Sequence, residues 1–494
     1  MSPMSSAKIN PLSQGSGLFK KNKALILAFV FCFVYWSYLI CTADFVISCD
    51  AIDYERRGFM IYEKGWLEYF KTGPNREPIY PLLISVSMRI ADSLSVSYKS
   101  IQILLQLFIL FITQILTLII LRKLKINDLL NALVILYLGI SPAIVNSAFG
   151  LYSEIAVYPF ILGIIFFNHK FWRLLCSSEN INKVCRAGFF LALCFLLATL
   201  TKGIFELITP IFIIISFIGS FILLRKNQLK RSVHLVVFVC VFLTTFYAPL
   251  TLYKYANKKY NGQFTLTDRG AWALYGQTAR RMQPLNSKRL LSAVAFSVSW
   301  KFCSDHFSPQ ECQDWSFIAS DNLGAAKQQE LSKTLSGEKL NKKLMSLSIE
   351  KALSNPFQYV LLMGVESLKM FFWEAPVNQY VFYPQLVMKI YSLQPIQEYL
   401  SSILALMTLI GIIYLFYCCW KYRSENSETA GIFLSILILI VLYVTAHSFF
   451  YILPRYIYSL VPLYLILTAS LFNTVILKYV CKSSSRDSTP SQVH

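Results

Sequence analysis

The stretch KALILAFVFCFVYWSYLICTADFVISCDAIDYERRG, from Lys23 to Gly58, joins a long apolar run to a cluster of ionisable residues. The apolar part, from about 23 to 43, has the length that a helix needs to cross the hydrocarbon core of a bilayer. It is too long for the apolar region of a signal peptide, so we interpret it as a retained first span. The acids and arginines that follow therefore lie where the chain leaves the membrane.

The composition of the whole chain agrees with this interpretation. Of its 494 residues, 55% are hydrophobic and only 15% are charged, whereas soluble domains carry about 25% charged residues. The net charge of +20 comes from lysines and arginines grouped between apolar runs, which is typical of cytoplasmic loops. The chain is therefore predicted to be an all-α polytopic membrane protein, with no nucleic acid among its partners.

The positions of the basic residues predict ten spans with both termini in the cytoplasm. The spans are expected at about 24–43, 98–121, 128–147, 152–171, 187–201, 204–224, 232–253, 398–420, 428–449 and 456–478. This gives an N-terminal transmembrane module (1–253), which contains the first outer loop (44–97). A small, mostly helical extracytoplasmic domain with an interfacial helix (254–376) follows, and then C-terminal transmembrane helices with a cytoplasmic tail (377–494).

Three amphipathic segments are predicted at the outer surface of the membrane. In the first outer loop, Tyr54 to Phe70 and Ile79 to Leu94 carry aromatic residues suited to the headgroup region. The run from Asn355 to Pro376 is interpreted as an interfacial or re-entrant helix. If it crossed the membrane, Lys421 and Arg423 would lie outside, against the positive-inside rule.

Motifs at the outer ends of several spans carry a family resemblance. Asp-Ala-x-x-Tyr begins at Asp50, and Arg-x-Pro-x-Tyr-Pro begins at Arg76. LYSEIAVYPF contains Ser153 and Glu154, and PRYIYSLVPLYLIL opens with Arg455 and Tyr456 after its proline. In this order and placement, the motifs resemble those of GT-C glycosyltransferases, in the branch of the protein O-mannosyltransferases and lipid A aminoarabinose transferases.

The resemblance implies an inverting transfer of a sugar from a polyprenyl-phosphate carrier to a glycolipid, glycan or protein acceptor on the outer face. Such a reaction needs a carboxylate that takes the acceptor's proton, and cations that stabilise the phosphate as a leaving group. The family's catalytic aspartate falls on Asp50, which we expect to be the base. Asp53 is the alternative, although it could simply cap a helix. No cofactor and no metal are expected, because no nucleotide-binding glycine motif or zinc spacing is present.

The remaining site residues are assigned by their place at the outer face. The lipid phosphate is expected to bind Arg76, Lys202 and Arg455. Lys202 lies in a short turn between apolar helices, where a cation needs a partner or a route to the interface. Asp53, Tyr54, Tyr80 and Glu154 are assigned to substrate or acceptor. Weaker candidates are Arg56, Arg57 and His447.

The polar stretch FTLTDRGAWALYGQTARRM, from Phe264 to Met282, leaves two interpretations open. Asp268, Trp272, Tyr275 and Arg280 could line an acceptor cleft, or the stretch could be an ordinary amphipathic helix. Cys303 and Cys312 lie on the oxidising side of the membrane, where a disulfide without a catalytic role is expected.

The rival functions are a lipid or solute transporter or flippase, and a non-catalytic member of the same fold. Transporters usually keep their critical charges near mid-bilayer, whereas the ionisable residues here concentrate at the outer mouth. The sequence has no Asn-x-Ser/Thr sequon, which favours a bacterial inner membrane, with the active site on its periplasmic face.

Overall fold

The computed structural model describes residues 23–74, 76–176, 180–225, 229–372, 380–391, 402–414, 427–450 and 452–486. The basic N-terminus, the segment with Lys421 and Arg423, and the end of the tail lie outside these residues. The cytoplasmic placement of these segments therefore stays a prediction.

The N-terminal half is built from helices that pack around one central span. Its helices are α1 (Lys23–Thr42), α2 (Asp50–Lys71), α3 (Ile79–Leu94), α4 (Tyr98–Lys123), α5 (Asp128–Ile140), α6 (Pro142–Phe149), α7 (Glu154–Cys176), α8 (Ile181–Thr201), α9 (Phe205–Arg225) and α10 (Leu229–Asn261). α7 packs against α4, α8 and α10. Most of its described side chains are buried, because its apolar residues face neighbouring helices on nearly every side. Glu154, the first residue of α7, is therefore buried at one end of this central span.

The polar segment, residues 254–372, is also helical. Beyond the end of α10 it contains α11 (Gly270–Arg281), α12 (Ser287–Val298), α13 (Trp300–His306), α14 (Pro309–Gln313), α15 (Phe317–Ser332), α16 (Gly337–Ser354) and α17 (Pro356–Ser367). α11 packs closely on α15, where Gly276 faces the backbone of Ser320. Cys303 and Cys312 form the expected disulfide.

The C-terminal part returns to the first outer loop. Its elements are β2 (Val381–Phe382), α18 (Gln385–Tyr391), α19 (Ser402–Tyr414), α20 (Ser427–Phe450), the 3-10 helix Pro454–Leu460 and α21 (Val461–Arg486). β2 pairs antiparallel with β1 (Asp44–Phe45), so that Asp44 faces Phe382 and Phe45 faces Val381. This two-stranded ladder ties the exit of α1 to the C-terminal part.

The helices confirm an all-α polytopic membrane protein. Among the described residues, seven helices are long and apolar enough to cross a membrane, or eight when α5 and α6 count as one bent span. Shorter apolar helices, Phe205–Ile215 and Ser402–Tyr414, fall within the sixth and eighth predicted spans. Part of the eighth span lies outside the described residues, and the total of ten stays a prediction.

The third span is broken, whereas the sequence predicted a continuous helix over 128–147. α5 and α6 meet at Ser141–Pro142 with a bend of 49°. Proline has no backbone N–H and disfavours helical geometry in the residue before it. Ser141 is accordingly extended, with ψ of 127°. The proline fits as the first residue of a new helix, so the chain changes direction there.

The first outer loop forms two helices, as predicted, and the structure adds that they pack against each other. α3 has the predicted bounds, and α2 begins four residues earlier than the predicted Tyr54. The two helices cross closely at Gly58, where a Cβ atom would lie 2.5 Å from Cγ2 of Ile84. A kink at Gly65, whose φ of 77° suits glycine, redirects the end of α2.

The ambiguous run from Asn355 forms the 12-residue helix α17 and a short 3-10 turn, Leu368–Met370. A helix of this length is about 18 Å long, which is too short for the roughly 30 Å of a bilayer core. This length agrees with the interfacial interpretation. Residues 373–376 of the run lie outside the described residues.

Candidate active site

Asp50 is the first residue of α2 and is held by two arginines. The preceding Cys49 has φ of 46°, a value uncommon outside glycine, and the chain turns there into the helix. Oδ1 of Asp50 accepts a hydrogen bond from Nη2 of Arg76 at 2.5 Å. Oδ2 accepts one from Nη2 of Arg455. The carboxylate is therefore clamped between the first loop and the start of the last helical segment.

Asp53 lies one turn later and shares Arg76 with Asp50. Nε of Arg76 donates to Oδ2 of Asp53 at 2.8 Å, so one guanidinium bridges both acids. Oδ1 of Asp53 accepts from Nη2 of Arg56 at 2.8 Å and lies 3.4 Å from Nε of Arg57. Although burial acts to raise it, the pKa of Asp53 is lowered, chiefly by the hydrogen bond from Arg76. Asp53 is thus surrounded by cations rather than acting only as a helix cap.

The electrostatics keep Asp50 ionised. Burial acts to raise its pKa, but Arg455 and Arg76 together hold that pKa well below its usual range. The pKa of Arg76 is raised in turn, against the effect of burial, by Tyr54, Asp50 and Asp53. A carboxylate in this state accepts hydrogen bonds but binds a proton weakly.

Glu154 and Lys202 form a second, more deeply buried pair beside the first. Nζ of Lys202 donates to Oε1 of Glu154 at 2.7 Å, and Nε of Arg455 lies 3.8 Å from the same oxygen. Arg455 therefore lies between both carboxylates, of Asp50 and of Glu154. Burial lowers the pKa of Lys202, but Glu154 outweighs it and raises that pKa overall. The lysine stays charged.

The turn that carries Lys202 is fixed by Glu77, an acid that the sequence did not single out. Oε1 of Glu77 accepts a hydrogen bond from the backbone N–H of Gly203 at 2.7 Å. Glu77 follows Arg76 directly, so one dipeptide of the first loop positions the aspartates and the Lys202 turn. No sequence signal pointed to Glu77, because its partner is a backbone N–H group.

The two candidate tyrosines occupy different environments. The hydroxyl of Tyr54 shares a hydrogen bond of 2.9 Å with Oγ of Ser153. Its ring lies under the guanidinium of Arg76, 4.6 Å from Cζ to the ring centroid. Tyr80 is fully buried and donates to Oε1 of Gln106 at 2.5 Å. Tyr54 therefore touches the site, whereas this geometry does not favour a substrate contact for Tyr80.

A cavity of about 260 Å³ lies in front of these groups. Four cations from separate parts of the chain line it: Arg76, Lys202, Arg269 and Arg455. Its other lining residues include Tyr54, Glu77, Ile204, Glu206, Leu207, Thr265, Thr267, Gly270, His447, Phe450 and Tyr456. The cavity therefore lies between the first loop, the Lys202 turn, the polar segment and the end of α20. An anionic group could bind several cations there at once.

Arg269 is the cation that the sequence interpretation missed. It directly precedes α11, is 45% exposed at its side chain, and places Nη1 4.0 Å from Oδ1 of Asp50. The neighbouring Asp268 anchors this stretch by donating its backbone N–H to the carbonyl of Pro74 at 2.9 Å. The candidates Trp272, Tyr275 and Arg280 do not line the cavity. The stretch thus combines an ordinary packed helix with one cavity residue at its start.

Comparison with known proteins adds one distant likeness. No protein-family model matches the chain, and no curated protein matches it. A solved structure that resembles it is the archaeal oligosaccharyltransferase AglB from Archaeoglobus fulgidus, in complex with an inhibitory peptide and a dolichol-phosphate. The TM-score is 0.41 at 11% sequence identity, over 90% of this chain and 48% of the archaeal chain. The chain thus spans about half the length of that protein, and so distant a likeness decides nothing about activity.

Proposed function

We propose that this membrane protein is a GT-C-type glycosyltransferase that transfers a sugar from a polyprenyl-phosphate carrier to an acceptor on the outer face. The observation that carries this proposal is the clamp on Asp50. A carboxylate at a membrane exit is bound by Arg76 and Arg455, and both arginines also line a cavity with Lys202 and Arg269. A base and a phosphate-binding group are thus supplied within one site.

The cations suit a phosphate better than a neutral ligand. Guanidinium groups form forked hydrogen bonds to phosphate oxygens, and lysine adds a point charge. In the structure these cations bind Asp50, Asp53 and Glu154. We propose that the donor phosphate displaces part of these contacts and draws Arg455 and Arg269 toward itself.

A lipid carrier is supported by the apolar side of the cavity. Ile204, Leu207 and Phe450 line it where it meets the spans α9 and α20. From Leu207, an exposed apolar stripe continues along α9 through Ile211, Ile214, Ile215 and Ile218. The spacing keeps these residues on one helix face, so an isoprenoid chain can leave the cavity sideways into the bilayer. A water-soluble nucleotide donor would not need this exit.

The proposed reaction forms a bond between the acceptor oxygen or nitrogen and the anomeric carbon. The bond from that carbon to the phosphate oxygen breaks on the opposite face, which inverts the configuration and releases polyprenyl phosphate. Asp50 takes the acceptor's proton. Because a strongly acidic carboxylate is a poor base, we propose that the incoming phosphate, by engaging Arg455 and Arg76, raises the pKa of Asp50. The lipid donor would thereby activate the base that it needs.

The finer assignments rest on the sequence. The acceptor is proposed to be a glycolipid, a glycan or a protein at the periplasmic face of a bacterial inner membrane. Glu154 and Tyr54 are proposed to position acceptor or donor, since both contact residues that line the cavity.

The test is a transfer assay with the purified full chain in lipid nanodiscs. A polyprenyl-phosphate donor with a radiolabelled sugar is supplied together with a membrane extract that contains the acceptors. Wild-type protein is expected to move label into a glycolipid, glycan or protein, and Asp50→Asn to lose the activity. The matched control is Asp44→Asn, which changes an exposed carboxylate six residues earlier in the chain. This variant should stay active. Unchanged transfer by Asp50→Asn, or donor translocation without transfer, contradicts the proposal.

A further inference from the structure

A buried ionic cluster that the proposed transfer does not use joins two helices of the polar segment. Glu366 of α17 is fully buried, and Arg280 and Arg281 at the end of α11 contact it. Lys369, from the 3-10 turn after α17, lies 3.3 Å from the same carboxylate. We call these four residues the Glu366 cluster. It places three basic side chains against one carboxylate in a site closed to solvent.

The acceptors within the Glu366 cluster are fully used. Oε1 of Glu366 accepts from Nη2 of Arg280 and from Nζ of Lys369. Oε2 accepts from Nε of Arg281 at 2.7 Å and from Nε2 of Gln277 at 2.6 Å. A carboxylate accepts about four hydrogen bonds, and Glu366 already has four.

The neighbouring backbone acceptor is used in the same way. The carbonyl of Trp315 accepts from Nη1 of Arg280 at 2.5 Å and from Nζ of Lys369 at 3.1 Å. A carbonyl oxygen has two lone pairs, so this group offers nothing to a further donor.

Arg281 retains donors that these acceptors cannot serve. Its side chain is fully buried, and Nη1 and Nη2 have no hydrogen-bond partner within the part of the chain that the structure describes. The ring of Tyr359 lies 5.2 Å from its Cζ, so it interacts with the cation through its π face and offers no lone pair to the N–H groups. Leaving buried donors of a charged group unpaired is costly, so these nitrogens point to a further partner.

The charge balance of the Glu366 cluster indicates that this partner is an anion. Burial lowers the pKa of Lys369 to about 7, against the opposing effect of Glu366 and together with Arg280. Burial is the main cause of this shift, and Arg280 adds to it. Even when the lysine is neutral, two arginines face one carboxylate, so one positive charge is left without a counter-charge. A neutral water molecule would satisfy the Arg281 donors but would leave the excess charge in place.

We propose that the Glu366 cluster binds one small inorganic anion, such as chloride, at the terminal nitrogens of Arg281. The bound anion stabilises the junction between α11 and α17. This site is independent of the proposed transferase activity, because it lies at the opposite end of α11 from Arg269.

The first experiment compares thermal unfolding of the purified full chain in sodium chloride and in sodium gluconate of equal ionic strength. Gluconate is too large to enter a closed site. Chloride at about ten times its Kd should raise Tm by about 1–3 °C. Arg281→Gln should remove this difference. Lys288→Gln, which changes an exposed lysine paired with Glu311, should keep it.

The second experiment does not depend on the folding of a variant. Crystals of the wild-type chain are grown with bromide in place of chloride, and an anomalous bromide peak is expected beside Nη1 or Nη2 of Arg281. A peak there supports the proposal. A water molecule at that position, or equal Tm values in the two salts for the wild type, overturns it.

Discussion

Arg455 donates a hydrogen bond to the carboxylate of Asp50, a residue that lies 405 positions earlier in the chain. The same guanidinium approaches Glu154, so it connects the first outer loop, the start of α7 and the start of the last helical segment. Removing this residue would affect both Asp50 and Glu154 at once.

The geometry of the Arg455 fork can be tested by a conservative change. Arg455→Lys keeps the positive charge but loses the planar guanidinium group. That group contacts two carboxylates, and by our proposal it also binds the donor phosphate. Because hydrogen bonds to charged groups contribute about 1.5–3 kcal/mol, we expect transfer to fall about 10- to 100-fold, mainly through a higher KM for the lipid donor. The control variant Arg173→Lys changes an exposed arginine near the end of α7 and should behave like wild type. An unchanged KM would argue against phosphate binding by Arg455.

Arg269 should affect donor binding without affecting stability. Because its side chain is 45% exposed, Arg269→Gln is expected to leave Tm unchanged while the KM for the donor rises about tenfold, the loss of one charge-assisted contact. Salt should weaken donor binding less in this variant than in the wild type. The control is Arg173→Gln, which removes an exposed arginine near the end of α7. A lower kcat with an unchanged KM for the donor would contradict a role of Arg269 in donor binding.

The buried pair of Glu154 and Lys202 predicts non-additive stability effects. Lys202→Met leaves a buried carboxylate without its lysine, and breaking such a pair costs about 3–5 kcal/mol. The double variant Glu154→Gln/Lys202→Met removes both charges and should recover most of the lost Tm. It should not recover transfer, because the proposed phosphate contact is absent. If the double variant loses as much Tm as Glu154→Gln and Lys202→Met lose together, the two residues are not coupled and the prediction is wrong.

Two glycines of the polar segment should respond oppositely to alanine. A Cβ atom at Gly276 would lie 2.0 Å from the carbonyl oxygen of Ser320, whereas at Gly364 it would meet nothing within 4 Å. Gly276→Ala should therefore destabilise the fold by about 1–3 kcal/mol or more. Gly364→Ala should be neutral or stabilise it by up to about 1 kcal/mol, because alanine favours helix. Thermal unfolding of both variants measures this, and a stable Gly276→Ala would show that α11 and α15 pack less closely.

Lys369 predicts a rise in stability with pH. Its pKa is about 7 in the folded chain, against an ordinary value of 10.5. Between these two values the unfolded chain binds a proton that the folded chain does not, so stability increases from about pH 7 to pH 10.5. Below pH 7 the lysine is protonated in both states and contributes no slope. Glu366, Arg280 and Arg281 are the charged groups that face it.

The measurement is Tm between pH 7 and pH 9.5 in gluconate. Lys369→Met should flatten the profile, and Lys288→Met should leave it as in the wild type. Chloride should reduce the slope, because a bound anion favours the protonated lysine. A wild-type Tm that does not rise with pH in gluconate would contradict the low pKa of Lys369.

Local patterns predicted the helices more accurately than their breaks. The bounds of α3 agree with the prediction because Pro78 precedes its first residue and Ser95, with φ of 53°, ends it. α2 begins earlier than expected because the chain turns at Cys49, a conformation that its sequence does not signal. The bend at Pro142 could have been inferred from the proline alone.

The sequence by itself determined that this chain is a helical membrane protein, because hydropathy and length act residue by residue along the chain. It also indicated that Asp50, Arg76, Lys202 and Arg455 belong to one face, because basic loops orient the spans. Only the tertiary structure decided which acid meets which cation, and that Arg269 and Glu77 join them. Those contacts depend on how distant helices pack, and the short motifs around each residue contain no information about that packing.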